Sequence, residues 1–230
     1  MGMDDATVVV TGASRGIGRA VAERFGETGA HVVCCARDRA AIEAVATTLR
    51  SDGVSVTPVR ADVRDEFDVE RLLEQAAREG PIDVVVANAG VYHGDPGETP
   101  LAESSYAAFD DPLRTNVRGV FATVREALPH LAADGRIVVP VGPFGERTPP
   151  GYGGYGVSKA AADAVARTFA AELDVPIARV DPGQTATALT GETGHDPSDA
   201  AELCYWAATA LDADDLDSVV TRADWRRATE

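Results

Sequence analysis

The chain has 230 residues, 45% of them hydrophobic, enough for one globular domain spanning 1–230 with a sizeable core. Its 37 Asp and Glu against 21 Lys and Arg leave a net charge of −16, a surface that repels phosphate backbones and excludes nucleic acid as a partner. No apolar run reaches the ~18 residues of a membrane span, and the start, MGMDDATVVV, has no basic stretch leading into an apolar one, so neither a membrane anchor nor a signal peptide is expected.

Short β-rich apolar runs alternate with helical patterns. Thr7–Val10 predicts a strand, followed by a glycine-rich turn and a helix whose Ile17, Val21 and Phe25 recur every fourth residue. His31–Ala36 predicts a second strand and Asp38–Arg50 a helix. Val54–Arg60 and Ile82–Ala87 predict strands on either side of a helix over Glu66–Glu79. The near-continuous apolar character of Ile82–Ala87 suits a strand covered on both faces. A helix follows around Val117, Val120, Phe121, Val124 and Leu128, then a strand at Arg136–Val141 and a helix at Tyr152–Leu173. Ile177–Val180, a helix near Ser198–Leu211 and a weak strand at Ser218–Thr221 complete the pattern. This rhythm predicts an α/β Rossmann fold: a doubly wound parallel sheet of about seven strands with helices on both faces. Cys34, Cys35 and Cys204 are odd in number and two lie in one apolar strand, so they are expected as core residues in a reducing cytoplasm, not as a disulfide or metal site.

The turn Thr11-Gly12-Ala13-Ser14-Arg15-Gly16-Ile17-Gly18 sits between a strand and a helix. That placement lets backbone approach a pyrophosphate and offers it the free N–H groups of a helix N-terminus. The second strand ends Ala36-Arg37-Asp38, with alanine where an NAD site places an acid for the ribose 2′-hydroxyl. Arg37 and Arg15 suit a 2′-phosphate, so the expected cofactor is NADP(H) rather than NAD(H), with Asp38 as a helix N-cap. A methyltransferase would also want an acid after the second strand, and the Gly-Lys-Ser/Thr of a P-loop enzyme is missing.

Lys159 is the only lysine, and Asn88 and Asn116 are the only asparagines. A composition that uses arginine for its other cations keeps a lysine where an ammonium is needed. Tyr155 lies four residues before Lys159, on the same helical face. A close ammonium is expected to lower the phenol from its ordinary pKa of about 10 and fit it for proton transfer.

These motifs, in this order, resemble those of the short-chain dehydrogenase/reductase family over nearly the whole chain. The family's glycine turn corresponds to Gly12, Gly16 and Gly18, and its adenine-binding acid to Asp62. Its Asn-Ala-Gly corresponds to Asn88-Ala89-Gly90, its helix asparagine to Asn116, its Tyr-x-x-x-Lys to Tyr155 and Lys159, and its Pro-Gly-x-x-x-Thr to Pro182, Gly183 and Thr187. The resemblance implies Asn116, Tyr155 and Lys159 as catalytic residues. It extends the cofactor-binding set to Ser14, Arg15, Ile17, Arg37, Val63 and Thr185. It further implies that Lys159 holds the nicotinamide ribose, that Asn116 holds a water in a proton relay, and that Thr187 meets the carboxamide. A homodimer or homotetramer is implied too, although the ending DSVVTRADWRRATE lacks the family's frequent Asp-Gly-Gly.

One element departs. The family's serine stands thirteen residues before the tyrosine, which here is Gly142, flanked by Val141 and Pro143; Thr148 is too far along the loop to replace it. Losing one such donor costs about 10²–10³ in rate. The sequence therefore predicts hydride transfer between NADP(H) and a small carbonyl or alcohol substrate, with Tyr155 as acid/base. The alternative is an impaired NADP(H) binder acting as sensor or assembly partner, against which the retained Tyr155, Lys159 and Asn116 speak. Tyr152, one helical turn before Tyr155, is a candidate replacement donor, with a plain pocket-wall role as the alternative that a helix tyrosine more often fills. Substrate is expected among the loops Tyr92–Pro100, Pro143–Gly151 and Gln184–Asp196, which carry Tyr92, His93, Phe144 and His195.

An acidic, lysine-poor surface also resembles that of proteins from salt-loving organisms. Screening of the self-repulsion should then stabilise the fold: the melting temperature should rise by roughly 5 °C or more between ~0.1 M and ~3 M KCl. A flat or falling melting curve would contradict the salt adaptation.

Overall fold

The computed structural model describes residues 2–147, 149–212 and 216–229. Thr148 lies outside the described residues. Seven parallel strands form one sheet: β1 (Thr7–Thr11), β2 (His31–Ala36), β3 (Val56–Arg60), β4 (Ile82–Val86), β5 (Leu131–Pro140), β6 (Ile177–Asp181) and β7 (Val220–Thr221). Their order is β3-β2-β1-β4-β5-β6-β7, so the chain leaves the centre in one direction and returns to build in the other. The helices between them are α1 (Gly16–Gly26), α2 (Arg39–Ser51), α3 (Glu66–Ala77), α4 (Tyr106–Pro112), α5 (Gly119–Ala127), α6 (Gly153–Glu172), α7 (Pro197–Thr209) and α8 (Arg222–Thr229).

Strand alternation builds two cores from one sheet. Val8, Val10, Val32, Cys34, Val86 and Val180 face Phe25, Ile42, Leu203 and Cys204 of α1, α2 and α7. Val9, Val33, Val85, Ile137 and Val139 face Leu72, Leu73, Val124 and Ala162 of α3, α5 and α6. Each fully buried Val or Leu is worth about 1.5–3 kcal/mol. The three cysteines are free and buried, and burial pushes each thiol up to about 12, so they act as small apolar residues.

Three elements differ from expectation. The helix expected around Val117 begins at Tyr106 and passes through a wide π turn, Leu113–Arg118, just after Pro112. Proline has no N–H to give the preceding turn, and the wider turn follows it without ending the helix. β5 begins at Leu131, ahead of the expected Arg136. The charged C-terminus forms α8, anchored by Thr221 N and Oγ1, which both donate to Asp224. Asp38 caps α2 as expected, accepting from Ala41 N at 3.1 Å.

One buried ion pair joins three parts of the fold. Arg179 of β6 and Asp163 of α6 are 5% and 3% exposed and meet at 3.0 Å. Arg179 also donates to the carbonyls of Leu216 and Asp217 in the segment leading to β7. Asp163 also pairs with the exposed Arg167 at 3.1 Å, whereas Arg179 has Asp163 as its one acidic partner among the described residues, so removing Asp163 leaves the guanidinium charge buried without a counter-charge. Asp163→Ala should therefore lower stability by about 3–5 kcal/mol in urea unfolding; a change under about 1 kcal/mol would show the pair to be solvated.

Candidate active site

The chain reverses its direction of sheet building between β1 and β4, and ligands of such sheets bind where these strand ends diverge. Asn88, just past β4, ties this junction together. Its Nδ2 donates to the carbonyls of Thr11 (2.9 Å) and Gly12 (3.3 Å), while Ala89 N donates to Thr11 Oγ1 at 3.1 Å. Gly12 holds φ +69°, and a Cβ there would lie 2.7 Å from Ala89 Cα. Only glycine allows the two loops to pass this closely.

A cavity opens beside this junction and runs across the C-terminal ends of six strands. Gly12, Ser14, Arg15, Gly16, Ile17, Gly18, Arg37, Val63, Asn88, Ala89 and Gly90 line it from one side. Tyr155, Lys159, Pro182, Gly183, Thr185 and Thr187 line it from the other. Side chains cap α2, α3, α4 and α7 (Asp38, Asp65, Ser105 and Asp196), but none caps α1, whose first N–H groups stand at the cavity. Arg15 and Arg37 make no ion pair among the described residues. Uncapped N–H groups with two unpaired guanidiniums fit the phosphates of a dinucleotide.

Two expected residues do not line the cavity. Asp62 is turned to Arg64, whose Nε and Nη2 reach its carboxylate at 3.0 and 2.7 Å. Burial pushes the Asp62 carboxyl up, but the hydrogen bonds from Arg64 outweigh it and hold the group below its ordinary value. Arg64 is held in turn by Asp111 at 3.0 Å, and Asp111 by His93 at 2.7 Å, so His93 belongs to this outer network. Asp62 thus serves an ion pair, and the neighbouring Ala61 and Val63 form the wall.

Asn116 is buried behind the wall, in the π turn. Its Oδ1 accepts from Val91 N at 2.8 Å, and its Nδ2 donates to Val91 O at 3.0 Å and to Ser158 Oγ at 2.8 Å. Ser158 Oγ donates to Tyr155 O at 2.7 Å. Asn116 therefore braces the turn of α6 that carries Tyr155. Ser158 escaped the sequence analysis, although it stands inside the Tyr155–Lys159 motif.

The tyrosine–lysine pair corrects a second expectation. Lys159 Nζ donates to Pro140 O at 2.7 Å, and the Tyr155 hydroxyl makes no hydrogen bond among the described residues. Burial lowers Lys159 to about 8. Burial also raises the Tyr155 phenol above its ordinary value, with Tyr92, Tyr152 and Asp181 adding to the rise. The neutral phenol is thus favoured over the phenolate. Around it lie Tyr92, with ring centroids 4.6 Å apart, and Phe144, nearly perpendicular at 5.5 Å. Tyr152 completes the group, 5.1 Å from Phe144, and all three rings line the cavity. His195 instead pairs through its backbone with Gln184 and Ala186.

Gly142 lines the cavity at the end of β5 with φ +69°, and a Cβ there would lie 3.3 Å from the Phe144 ring. The backbone has adapted to glycine, so a serine is not simply restored. Gly142→Ser and Gly142→Ala should each lose about 1–2 kcal/mol in urea unfolding, the cost of a side chain in the left-handed region. A serine variant as stable as the native protein would refute this.

A family model described as short chain dehydrogenase matches residues 6–198. A glycine betaine reductase of Emericella nidulans is 34% identical over 189 residues, 80% of this chain but only 15% of that much longer protein. An NADPH-dependent chloroplastic aldehyde reductase of Arabidopsis thaliana is 34% identical over 199 residues, 79% of this chain and 72% of the relative. A short chain dehydrogenase from Burkholderia cenocepacia, solved with NADP, superposes with a TM-score of 0.85 at 26% identity, covering 96% of this chain and 97% of that one. Solved neighbours include chains holding NADP and chains holding NADH, so likeness alone does not choose between them.

Proposed function

The chain belongs to the short-chain dehydrogenase/reductase family and is an oxidoreductase, and from that premise we propose that it moves hydride between NADP(H) and the carbonyl or alcohol carbon of a small organic substrate. The observation that carries this reading is a single cavity that joins two unpaired arginines at one end to Tyr155 and Lys159 at the other. The whole chain, 1–230, acts as one such domain. In an oligomer, Phe121 of α5 and Val157 of α6, 42% and 38% exposed, offer an apolar face for a second copy.

The nicotinamide, when bound, supplies or accepts the hydride. The glycine turn and the uncapped start of α1 hold the pyrophosphate. Arg15 and Arg37 hold the 2′-phosphate, which an NAD site would replace with an acid. Pro182, Gly183, Thr185 and Thr187 hold the nicotinamide end. Tyr155 gives its proton to the substrate oxygen during reduction, a role its raised phenol suits. Lys159 keeps the local potential positive and meets the ribose. Asn116 positions Tyr155 through Ser158. Tyr152, whose hydroxyl has no hydrogen-bond partner among the described residues, replaces the missing serine as a donor to the substrate.

NADPH oxidation with a panel of ketones and aldehydes in molar KCl tests this reading. Tyr155→Phe should lower kcat by about 10²–10⁴ while NADPH still binds. Arg15→Ala with Arg37→Ala should weaken NADPH binding by about tenfold or more and NADH binding by less than about threefold. The kcat/KM for reduction should fall as pH rises through about 8, where Lys159 loses its charge. Equal losses for NADPH and NADH would contradict the 2′-phosphate assignment, and full activity in Tyr155→Phe would contradict the proton donor.

A further inference from the structure

The chemical end of the cavity holds a carboxyl that this mechanism does not use. Asp181 ends β6, beside the end of β5, where Val141 N donates to Val180 O at 2.9 Å. Alternation along β6 sets its direction. Val180 packs in the α1–α7 core, whereas Arg179 reaches Asp163 on α6, so Asp181 shares the face of the sheet that α6 covers. Asp181 lines the cavity together with Gly142, Phe144 and Tyr155. Its Oδ1 accepts from Gly183 N at 2.9 Å, and its Oδ2 has no hydrogen-bond partner among the described residues. Burial raises this carboxyl, and its charge in turn contributes to the rise at Tyr155.

The other charges of the cavity are already committed. Among the described residues only Arg15, Arg37, Lys159 and Asp181 are charged lining groups. The arginines stand at the nucleotide end, and Lys159 donates to Pro140 O. Arg147 and Glu146 influence Asp181 from the exposed loop beyond and do not line the cavity. What remains around Tyr155 is the wall of Tyr92, Phe144 and Tyr152.

We propose that Asp181 selects the substrate, an uncharged ring-bearing carbonyl compound that donates a hydroxyl to the free carboxylate oxygen. This rests on the hydride-transfer reading above. An ionised carboxylate only accepts hydrogen bonds, so the group facing it must donate. A substrate carboxylate or phosphate would meet like charge at Asp181, and the cation whose charge reaches that carboxyl, Arg147, stands on the exposed loop outside the cavity lining. Flat rings gain edge and offset contacts against the aromatic wall. The hydroxyl contact anchors the substrate from the strand ends where the family's serine would stand, and so bears on how Gly142 is tolerated.

Calorimetric titration in molar KCl with 2-naphthol, 2-methoxynaphthalene and 2-naphthoate tests this on the native protein, Asp181→Asn and Asp181→Ala. Asparagine keeps an acceptor for Gly183 N and guards against a collapsed loop; melting curves report folding. Native protein should bind 2-naphthol about tenfold or more tightly than its methyl ether, and 2-naphthoate most weakly. Both variants should bring the naphthol-to-ether ratio within about twofold and improve naphthoate binding. A ratio near one in the native protein, or one that survives in folded variants, overturns the assignment. NADPH-driven reduction of 6-hydroxy-2-tetralone, a ring ketone that carries the hydroxyl donor, measured in parallel, separates the two readings. Reduction with an unchanged ratio removes the Asp181 role alone. A ratio that collapses in the variants, without reduction by native protein, supports the Asp181 contact and removes hydride transfer.

Discussion

The amide of Asn88 is the contact on which the rest of the site depends. It bridges the carbonyls of Thr11 and Gly12 across the junction of β1 and β4. Together with the Ala89 N–Thr11 Oγ1 bond it fixes the spacing of the glycine turn and the Asn88-Ala89-Gly90 loop, and so the width of the cavity between them. Gly12 and Ala89 come too close for any side chain to intervene. The start of α1, the arginines and the first cavity wall all take their positions from this closure. A chain with only one other asparagine has one here, where the isosteric aspartate would have no proton to donate to either carbonyl.

The second constraint is the low polarity of the chemical end. Aromatic rings surround Tyr155, and burial favours its neutral form as it favours the neutral form of Lys159. The two shifts run in opposite directions on the pH scale for one reason, the cost of a charge away from water. The helix spacing that places tyrosine and lysine together does not by itself produce a phenolate. It produces a neutral phenol beside a lysine that burial lowers to about 8. That asymmetry suits carbonyl reduction, where the phenol gives up its proton as the oxygen gains charge.

Much of this was legible in the sequence because the signals were local. The apolar runs of β1, β2 and β4, the cap at Asp38 and the glycine turn each lie within a few residues. The exceptions depend on distant partners or on composition that hides an element. Asp62 resembles an adenine ligand, yet its orientation is set by Arg64, which Asp111 holds from 47 residues away. The helix expected around Val117 starts earlier, at Tyr106, because the π turn carries it past Pro112. The strand expected from Arg136 starts at Leu131, with Asp134 and Gly135 inside it. α8 has no buried residue and so no apolar stripe to announce it. The absent serine was plain in the spacing, but the left-handed backbone that Gly142 adopts was not. Asp181 carried no sequence signal of its own, and the alternation along β6 is what brings it to the cavity that Tyr155 lines.

The central claim is direct hydride transfer within this cavity. The most direct test is a single-turnover reaction with NADPH carrying deuterium at nicotinamide C4 and a ring ketone, followed by mass spectrometry of the alcohol. The account predicts deuterium on the carbinol carbon with native protein and no labelled alcohol on the same timescale with Tyr155→Phe. Alcohol formed without the label, or equally fast labelling in Tyr155→Phe, would contradict it.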